Sequence, residues 1–322
     1  MSKVLVTPRS FGSSDASLKT ELEAAVDEVI YNPVGRPMRV DELVEIAADI
    51  DGWIAGLDHI EAEVIAAASR LRVIARYGVG LDRVDLDAAT RRGIIVTNTP
   101  GANAASVAEL AIGLILALAR QIPRADRATK QGDWPRINGV GLQGKTVGLI
   151  GLGAIGSAVV QRLGGFGCKI LATDPYISID YAQDDARLVP LSTLLSKSDF
   201  ISLHVPALPS TIGMVDAAFL AKIKPGAFLV NTARGELIDE KALYQALNNG
   251  HLRGAALDCL GQEPPCPDNP LLELPQVIVT PHTGAHTDEA VDAMGRMALQ
   301  ACLAVLDGKK PEHVANPEVY TK

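Results

Sequence analysis

Residues 147–156 read VGLIGLGAIG, and a later apolar run, KILATD, closes on Asp174. Val147 to Ile150 form a short run suited to a buried strand. It feeds a glycine turn, Gly151-Leu152-Gly153-Ala154-Ile155-Gly156, that opens a helix. The carboxylate that ends the second strand follows Gly151 by 23 positions. Each part has a physical task. Gly151 permits the tight turn. Gly153 has no side chain, so a pyrophosphate can reach the backbone, and Gly156 lets helix and strand pack closely. The helix N-terminus offers unpaired N–H groups and a partial positive charge to the phosphates. Asp174 can accept hydrogen bonds from both hydroxyls of an adenosine ribose. Glycine turns are common, and GxGxxG alone is weak. A strand before it, a helix after it and an acid at this distance mark a dinucleotide site. Asp174 also selects the cofactor, because a carboxylate there repels a 2′-phosphate. Pro175-Tyr176-Ile177 bring no arginine to replace that repulsion. The expected cofactor is NAD rather than NADP.

On both sides of this stretch strands alternate with helices. The chain has 322 residues, enough for two domains. In the first hundred residues KVLVTP, EVIYNP, DGWIAG, RVIARYG and IIVTNTP read as strands. SLKTELEAA, the stretch near Val40–Ala48, AEVIAAAS and DLDAATRRG have helical spacing. Residues 103–131 read as one long apolar helical stretch, with Glu109 and Arg120 near its ends. Its length argues for a buried or dimer-forming helix rather than a membrane span. After the loop GDWPRINGVGLQG a second strand–helix series starts at Lys145 and continues through ISLHVP, AFLVNTA, GAALDCL and VIVTPH. A final helical pattern covers 287–307. The expected fold class is α/β, with a Rossmann NAD-binding domain (103–285) inserted in a flavodoxin-like substrate domain (1–102 plus 286–322). Ligands of such sheets bind beyond the carboxyl ends of the strands, and the two domains are expected to close over the substrate.

The composition is 48% hydrophobic but only 4% aromatic, so small aliphatic residues must fill layered α/β cores. A net charge of −8 argues against a nucleic-acid surface. Any positive charge that meets an anion must then sit on particular arginines. Cys168, Cys259, Cys266 and Cys302 form no CxxC and suggest no disulfide framework. MSKVLVTPRS runs directly into a strand without an apolar leader. A cytoplasmic protein with no membrane partner is expected.

Three residues lie just past strand ends: Arg234 after FLVNTA, Glu263 after GAALDCLGQ and His282 after VIVTP, spaced by 29 and 19 residues. Hydride transfer to a carbonyl needs a cation to bind the substrate and polarise the carbonyl. It also needs an acid for the developing alkoxide and a group that keeps this acid charged and oriented. Arg234, His282 and Glu263 match these needs in that order. Singly, each has a plainer reading: a surface ion-pair arginine, a structural histidine, a loop carboxylate. Jointly they describe one reaction centre. His286 lies four residues past His282, but two histidines without a third ligand are poor ground for zinc. No metal is expected. His204, beside Pro206, reads either as lining the cofactor or as structural.

The motifs GLGAIG, NTARGELID, ALDCLGQEPP and TPHTGAHT, preceded by ARYGVGLDRVD and NTPGANAASVAEL, resemble the D-isomer-specific 2-hydroxyacid dehydrogenases, and most of all their D-3-phosphoglycerate dehydrogenase-like members. The resemblance spans almost the whole chain and is weakest in the first 50 residues. It implies that Arg234 binds the substrate carboxylate and carbonyl, with His282 as acid/base and Glu263 as its partner. Asp258 would hold the nicotinamide carboxamide, and Gly78-Val79-Gly80 would hold the carboxylate through backbone N–H groups. Ala154, Ile155, Val205, Thr232, Ala233 and Gly284 join the glycines and Asp174 around the cofactor, and a homodimer through the NAD-binding domain is implied.

Several positions depart from the family pattern. Ala154 replaces a frequent arginine or lysine, and Val205 stands where many relatives have threonine. Gly56-Leu57 follows the third strand, where phosphoglycerate dehydrogenases offer polar or cationic groups to a phosphate. Arg9 and Ser10, with Arg76, are the residues that can compensate, and Arg9, Ser10 and Gly56 are the specificity candidates. The implied activity is hydride transfer between NAD(H) and C2 of a D-2-hydroxy or 2-keto acid, phosphoglycerate dehydrogenase-like. A hydroxypyruvate or glyoxylate reductase, or a dehydrogenase of another C3-anionic acid such as sulfolactate, is the alternative. An NAD-sensing corepressor-like binding protein is the remote one. Formate dehydrogenases typically carry glutamine where Glu263 stands. Without a regulatory domain after residue 322, serine feedback is not expected.

Overall fold

The computed structural model describes residues 2–177 and 186–321. The chain divides into two compact units, residues 1–103 with 286–322, and residues 104–285. The first unit holds strands β1 (Lys3–Val6), β2 (Glu28–Tyr31), β3 (Gly52–Ala55), β4 (Val73–Arg76) and β5 (Ile95–Thr97). All pair in parallel, in the order β2-β1-β3-β4-β5. This is the flavodoxin order, which reverses between β1 and β3. β3 and β4 are buried along their whole length. That is why they read as unbroken apolar runs and not as an alternation. Helices α1 (Ser17–Ala25), α2 (Val40–Ile46), α3 (Ala62–Ala67) and α4 (Leu86–Arg91) connect the strands.

The second unit holds β6 (Thr146–Ile150), β7 (Lys169–Thr173), β8 (Ala186–Leu188), β9 (Phe200–Leu203), β10 (Ala227–Asn231), β11 (Leu252–Leu257) and β12 (Val277–Val279). They form one parallel sheet, β12-β11-β10-β9-β6-β7-β8. Its order reverses at β6 and β9, the switch point of a Rossmann sheet. Helices α5 (Ala104–Arg120), α6 (Ile122–Lys130), α7 (Ala154–Leu163), α8 (Leu191–Lys197), α9 (Ala217–Leu220) and α10 (Glu240–Asn248) accompany it.

The stretch 103–131, expected as a single helix, is α5 and α6 with a bend of 61° between them. Gln121 adopts a left-handed conformation (φ 52°), and Pro123 starts the second helix, where its missing N–H costs nothing. Ala111, Ile115 and Leu118 of α5 are buried in the core cluster of their own unit. The apolar character of α5 is therefore satisfied without a partner. No single helix among the described residues is long and apolar enough to cross a membrane. α6 has no buried residue, and Ile122 (52% exposed) and Trp134 (81% exposed) present apolar surface there.

The final helix, α11 (Asp288–Leu306), returns to the first unit and packs on β3, β4 and α1. Thr287 caps it by accepting from Ala290 N–H. Gly295 lets it approach Leu18; a Cβ there would lie 2.6 Å from Leu18 Cδ1.

Candidate active site

The turn after β6 is shaped by what surrounds it. Gly151 has φ +98°, and a Cβ on it would lie 2.6 Å from the His204 carbonyl oxygen. A Cβ on Gly156 would run into the Gly151 carbonyl, whereas one on Gly153 would meet nothing within 4 Å. Packing therefore requires glycine at the first and third positions, and the second leaves the backbone open to an approaching group. Gly153 is the N-cap of α7 and brings no capping side chain, so the first N–H groups of the helix remain available. Asp174 is held against this turn: Oδ2 accepts from Leu152 N–H at 2.9 Å and Oδ1 from Tyr176 N–H at 2.9 Å. Each oxygen keeps a second acceptor position. Val205 lines the turn, with Cγ1 3.0 Å from where a Gly151 Cβ would sit.

His204, next to that turn, has a buried Nε2 with no hydrogen-bond partner among the described residues. Burial lowers its pKa from 6.5 to about 4. The unfolded chain therefore binds this proton below pH 6.5, while the folded chain resists until about pH 4. Stability is lost as pH falls through that window. Urea unfolding should show His204→Gln losing about 2 kcal/mol less than the parent between pH 7 and pH 5. Equal losses would contradict a buried neutral ring.

The loops after β10, β11 and β12 lie side by side. Buried Asn231 clasps the first: Nδ2 donates to the Arg234 carbonyl (2.7 Å) and Oδ1 accepts from Ala233 N–H (3.0 Å). This sets Arg234, whose Nη1 donates to the Ala233 carbonyl at 2.8 Å. Thr232 and Ala233 are buried, and Thr232 Oγ1 has no partner among the described residues. Gly235 has no room for a Cβ, which would strike the Leu260 backbone, so the first two loops are in direct contact.

Asp258 fastens the third loop. Its carboxylate accepts from Thr280 Oγ1 (2.6 Å), Thr283 N–H (2.9 Å) and Gly284 N–H (2.8 Å). Its carbonyl accepts from His282 N–H at 2.9 Å. His282 sits inside this fastened loop with φ +52°, a left-handed conformation that few residues with a Cβ adopt. Such strain costs on the order of 1 kcal/mol and persists where the surroundings over-determine it. His282 Nδ1 lies 2.9 and 3.0 Å from the two oxygens of Glu263. A carboxylate can only accept, so Nδ1 is the donor in this pair and Nε2 takes no part in it. Both side chains are partly buried, at 22% and 21% exposure.

Cys259 joins these groups. Its thiol donates to the Ala233 carbonyl at 3.4 Å, the same oxygen that Arg234 Nη1 bonds. Its sulfur, a Glu263 oxygen and a His282 nitrogen all lie within 4.8 Å of one another. Burial raises the thiol pKa well above its ordinary value, and the neighbouring Asp258 and Glu263 charges add to this.

In the first unit, Gly78 (φ +142°) opens the loop Gly78-Val79-Gly80 after β4. The three carbonyls accept from Thr99 N–H (3.1 Å), Asn98 Nδ2 (2.8 Å) and Arg76 Nε (3.2 Å) respectively. No acceptor among the described residues takes the three N–H groups. Arg76 is buried and also donates to the Ala55 carbonyl at 2.6 Å, so it braces the loop. Arg9 is largely exposed and donates to the Gly35 carbonyl at 2.8 Å, and Ser10 Oγ lies 3.3 Å from the Tyr77 hydroxyl. Gly56 is buried with its N–H donated to Thr7 Oγ1 at 2.9 Å, so it offers space and no donor. Beside it lies Asp58, 2% exposed. Its Oδ1 accepts from Met38 N–H, and Oδ2 has no partner among the described residues. His286 is exposed and belongs to this unit.

The family model described as "D-isomer specific 2-hydroxyacid dehydrogenase, NAD binding domain" matches residues 112–284. The chain belongs to the D-isomer specific 2-hydroxyacid dehydrogenases. It is 45% identical over 300 residues to a D-3-phosphoglycerate dehydrogenase of Mycobacterium tuberculosis, which covers 92% of this chain and 56% of that protein. The chain thus spans about half the length of that relative. It is 40% identical over 311 residues to a glyoxylate reductase of Thermofilum pendens, covering 92% of this chain and 91% of the other. The crystal structure of a D-lactate dehydrogenase from Aquifex aeolicus, complexed with NAD and lactic acid, superposes with a TM-score of 0.85 at 28% identity, covering 97% and 99% of the two chains.

Residues 112–284 match the family's NAD-binding domain, and the nucleotide turn fits that cofactor. Gly153 leaves the approach open, the start of α7 keeps its N–H groups, and Asp174 retains acceptor capacity on both oxygens. Ala154 adds only a methyl group. Reading residues along the chain missed Asn231, Thr280, Asp58 and the setting of Cys259. Asn231 was within reach, since it precedes Thr232-Ala233-Arg234 directly. The other three owe their positions to contacts distant in sequence.

Proposed function

We propose that this chain is a dehydrogenase of a D-2-hydroxy acid that interconverts the C2 alcohol with the 2-keto acid, in the manner of phosphoglycerate dehydrogenases. The observation that carries this reading is the His282–Glu263 pair at 2.9 Å, on a loop fastened by Asp258 beside the Arg234 loop. Bound NADH supplies the hydride. Gly151, Gly153, Ala154, Ile155 and Gly156 would hold the pyrophosphate and Asp174 the adenosine ribose, with Val205, Thr232, Ala233, Asp258 and Gly284 along the remainder. Protonated His282 gives its Nε2 proton to the C2 oxygen in the reductive direction. Neutral His282 takes it back in the oxidative one, while Glu263 holds the ring in place. Arg234 grips the substrate carboxylate through parallel hydrogen bonds. Gly78, Val79 and Gly80 offer their N–H groups to the same class of anion.

A second reading, a substrate without a C3 phosphate such as hydroxypyruvate or glyoxylate, is favoured by Asp58. Its unpartnered oxygen lies 3.5 Å from where a Gly56 Cβ would sit and would oppose a second anion there. Arg9 and Ser10 favour an anionic C3 group instead. One panel separates these readings: oxidation of NADH and of NADPH with phosphohydroxypyruvate, sulfopyruvate, hydroxypyruvate and glyoxylate. NADH with phosphohydroxypyruvate is expected to lead. Faster turnover of hydroxypyruvate or glyoxylate selects the second reading. Equal use of NADPH removes the role given to Asp174, and no reduction of any keto acid removes the activity.

Our proposal includes a homodimer through the NAD-binding unit, resting on the exposed Ile122 and Trp134. Sedimentation that stays monomeric at all concentrations would contradict it. It also includes a cytoplasmic location, since all four cysteines are free thiols; recovery of the protein only from secreted fractions would contradict that.

A further inference from the structure

The groups assigned to proton transfer have a neighbour that the reaction does not use. Cys259 Sγ, a Glu263 carboxylate oxygen and a His282 ring nitrogen lie within 4.8 Å of one another. They combine the ligand types that zinc accepts: thiolate, imidazole and carboxylate. Tetrahedral zinc holds such atoms about 3.5 Å apart, given bonds of about 2.0–2.3 Å. The Glu263–His282 edge, at 2.9 Å, must widen by about half an ångström, and the more distant atoms of the trio, at up to 4.8 Å, must close by about an ångström. Glu263 and His282 are each about one-fifth exposed, which gives a cation access, and the buried thiol forms the floor.

We propose that Cys259, Glu263 and His282 form a three-ligand site for a thiophilic divalent cation of the zinc class, and that its occupation switches the proton relay off. The cation binds Sγ, and the thiol proton, now donated to the Ala233 carbonyl, leaves to solvent. The cation also takes the ring nitrogen that faces Glu263. The proton on that nitrogen goes to solvent from a charged ring, or is replaced by one on Nε2 in a neutral ring. In either case the ring keeps a proton on Nε2 and cannot cycle it. The fourth position of the cation stays open. Only a cation with high affinity for sulfur displaces a thiol proton from so buried a position, so magnesium and calcium, which prefer oxygen ligands, do not compete. The binding half of the proposal stands on the three side chains alone. The inhibitory half rests on the role proposed for His282.

The test uses the full chain stripped with chelator. Cobalt(II) is expected to bind one equivalent and give a thiolate charge-transfer band in the near ultraviolet. Zinc should abolish the band and excess magnesium should not. Cys259→Val should lose the band and weaken binding by roughly 30-fold or more. Cys259→Ser, closer in size and polarity, should lose the band as well, which keeps the test open if the valine variant folds poorly. No stoichiometric binding, or a band that persists in both variants, overturns the proposal. Turnover is then compared with each variant's own zinc-free rate. Zinc should inhibit the parent reversibly and spare the Cys259 variants. Binding without inhibition overturns the switch and, with it, the role of His282. Absent binding leaves that role untouched.

Discussion

Substituting His282 should lower kcat by about 10²- to 10⁴-fold, the span that a positioned acid/base contributes, and should leave NADH affinity within a few-fold of the parent. His282 follows β12, while the turn proposed for the pyrophosphate follows β6, and His282 is not among the residues proposed to hold the cofactor. Loss of the ring therefore removes proton transfer and spares cofactor binding. The choice of variant matters because His282 has φ +52°. Alanine in that conformation is strained, whereas asparagine tolerates it. His282→Asn is consequently the better variant, and His282→Ala bounds the effect. Glu263→Gln keeps the shape of the partner but removes its charge. It should lower kcat, because the ring loses the charged acceptor that orients it. Near-normal turnover in His282→Asn, or a loss of NADH binding as large as the loss of rate, would contradict the assignment.

The second large effect is expected at Arg234. A guanidinium gripping a carboxylate makes two charge-assisted hydrogen bonds, each contributing about 1.5–3 kcal/mol. Removing both corresponds to a loss of about 10²- to 10⁴-fold in kcat/KM for the keto acid. Arg234→Lys keeps the charge but not the fork, and should recover only part of that loss. The fold should tolerate either change, because the clasp that shapes this loop runs from Asn231 to the Arg234 carbonyl and the Ala233 N–H, both backbone groups. Unfolding midpoints close to the parent, with a raised KM for the keto acid and a lower kcat, are the expected pattern. An unchanged KM and kcat would remove Arg234 from substrate binding.

Much of this architecture is legible along the chain because buried parallel strands announce themselves as apolar runs ending in polar or glycine residues. Strands β1, β3, β4 and β5 of the first unit and the turn Gly151–Gly156 are of this kind. β8 is not: it has three residues, Ala-Arg-Leu, at the edge of the sheet, with no residue fully buried. The division of 103–131 was hidden because an apolar run masks a break. Only Pro123 and the left-handed Gln121 mark it. At the candidate site, Arg234, Glu263 and His282 could be placed because each closely follows a strand whose position in the sheet is predictable. The geometry of Cys259 and Asp58 could not be. Their surroundings come from the approach of one loop to another, which no local spacing encodes.

The first unit is discontinuous, and this sets an order on its birth. Residues 104–285 are contiguous, so that portion can complete its interior as soon as it clears the ribosome. The five-stranded sheet is synthesised earlier but must wait for α11, which packs on β3 and β4. Until then the aliphatic face of β3 and β4 that α11 covers lacks its partner, the kind of transient apolar surface that favours aggregation.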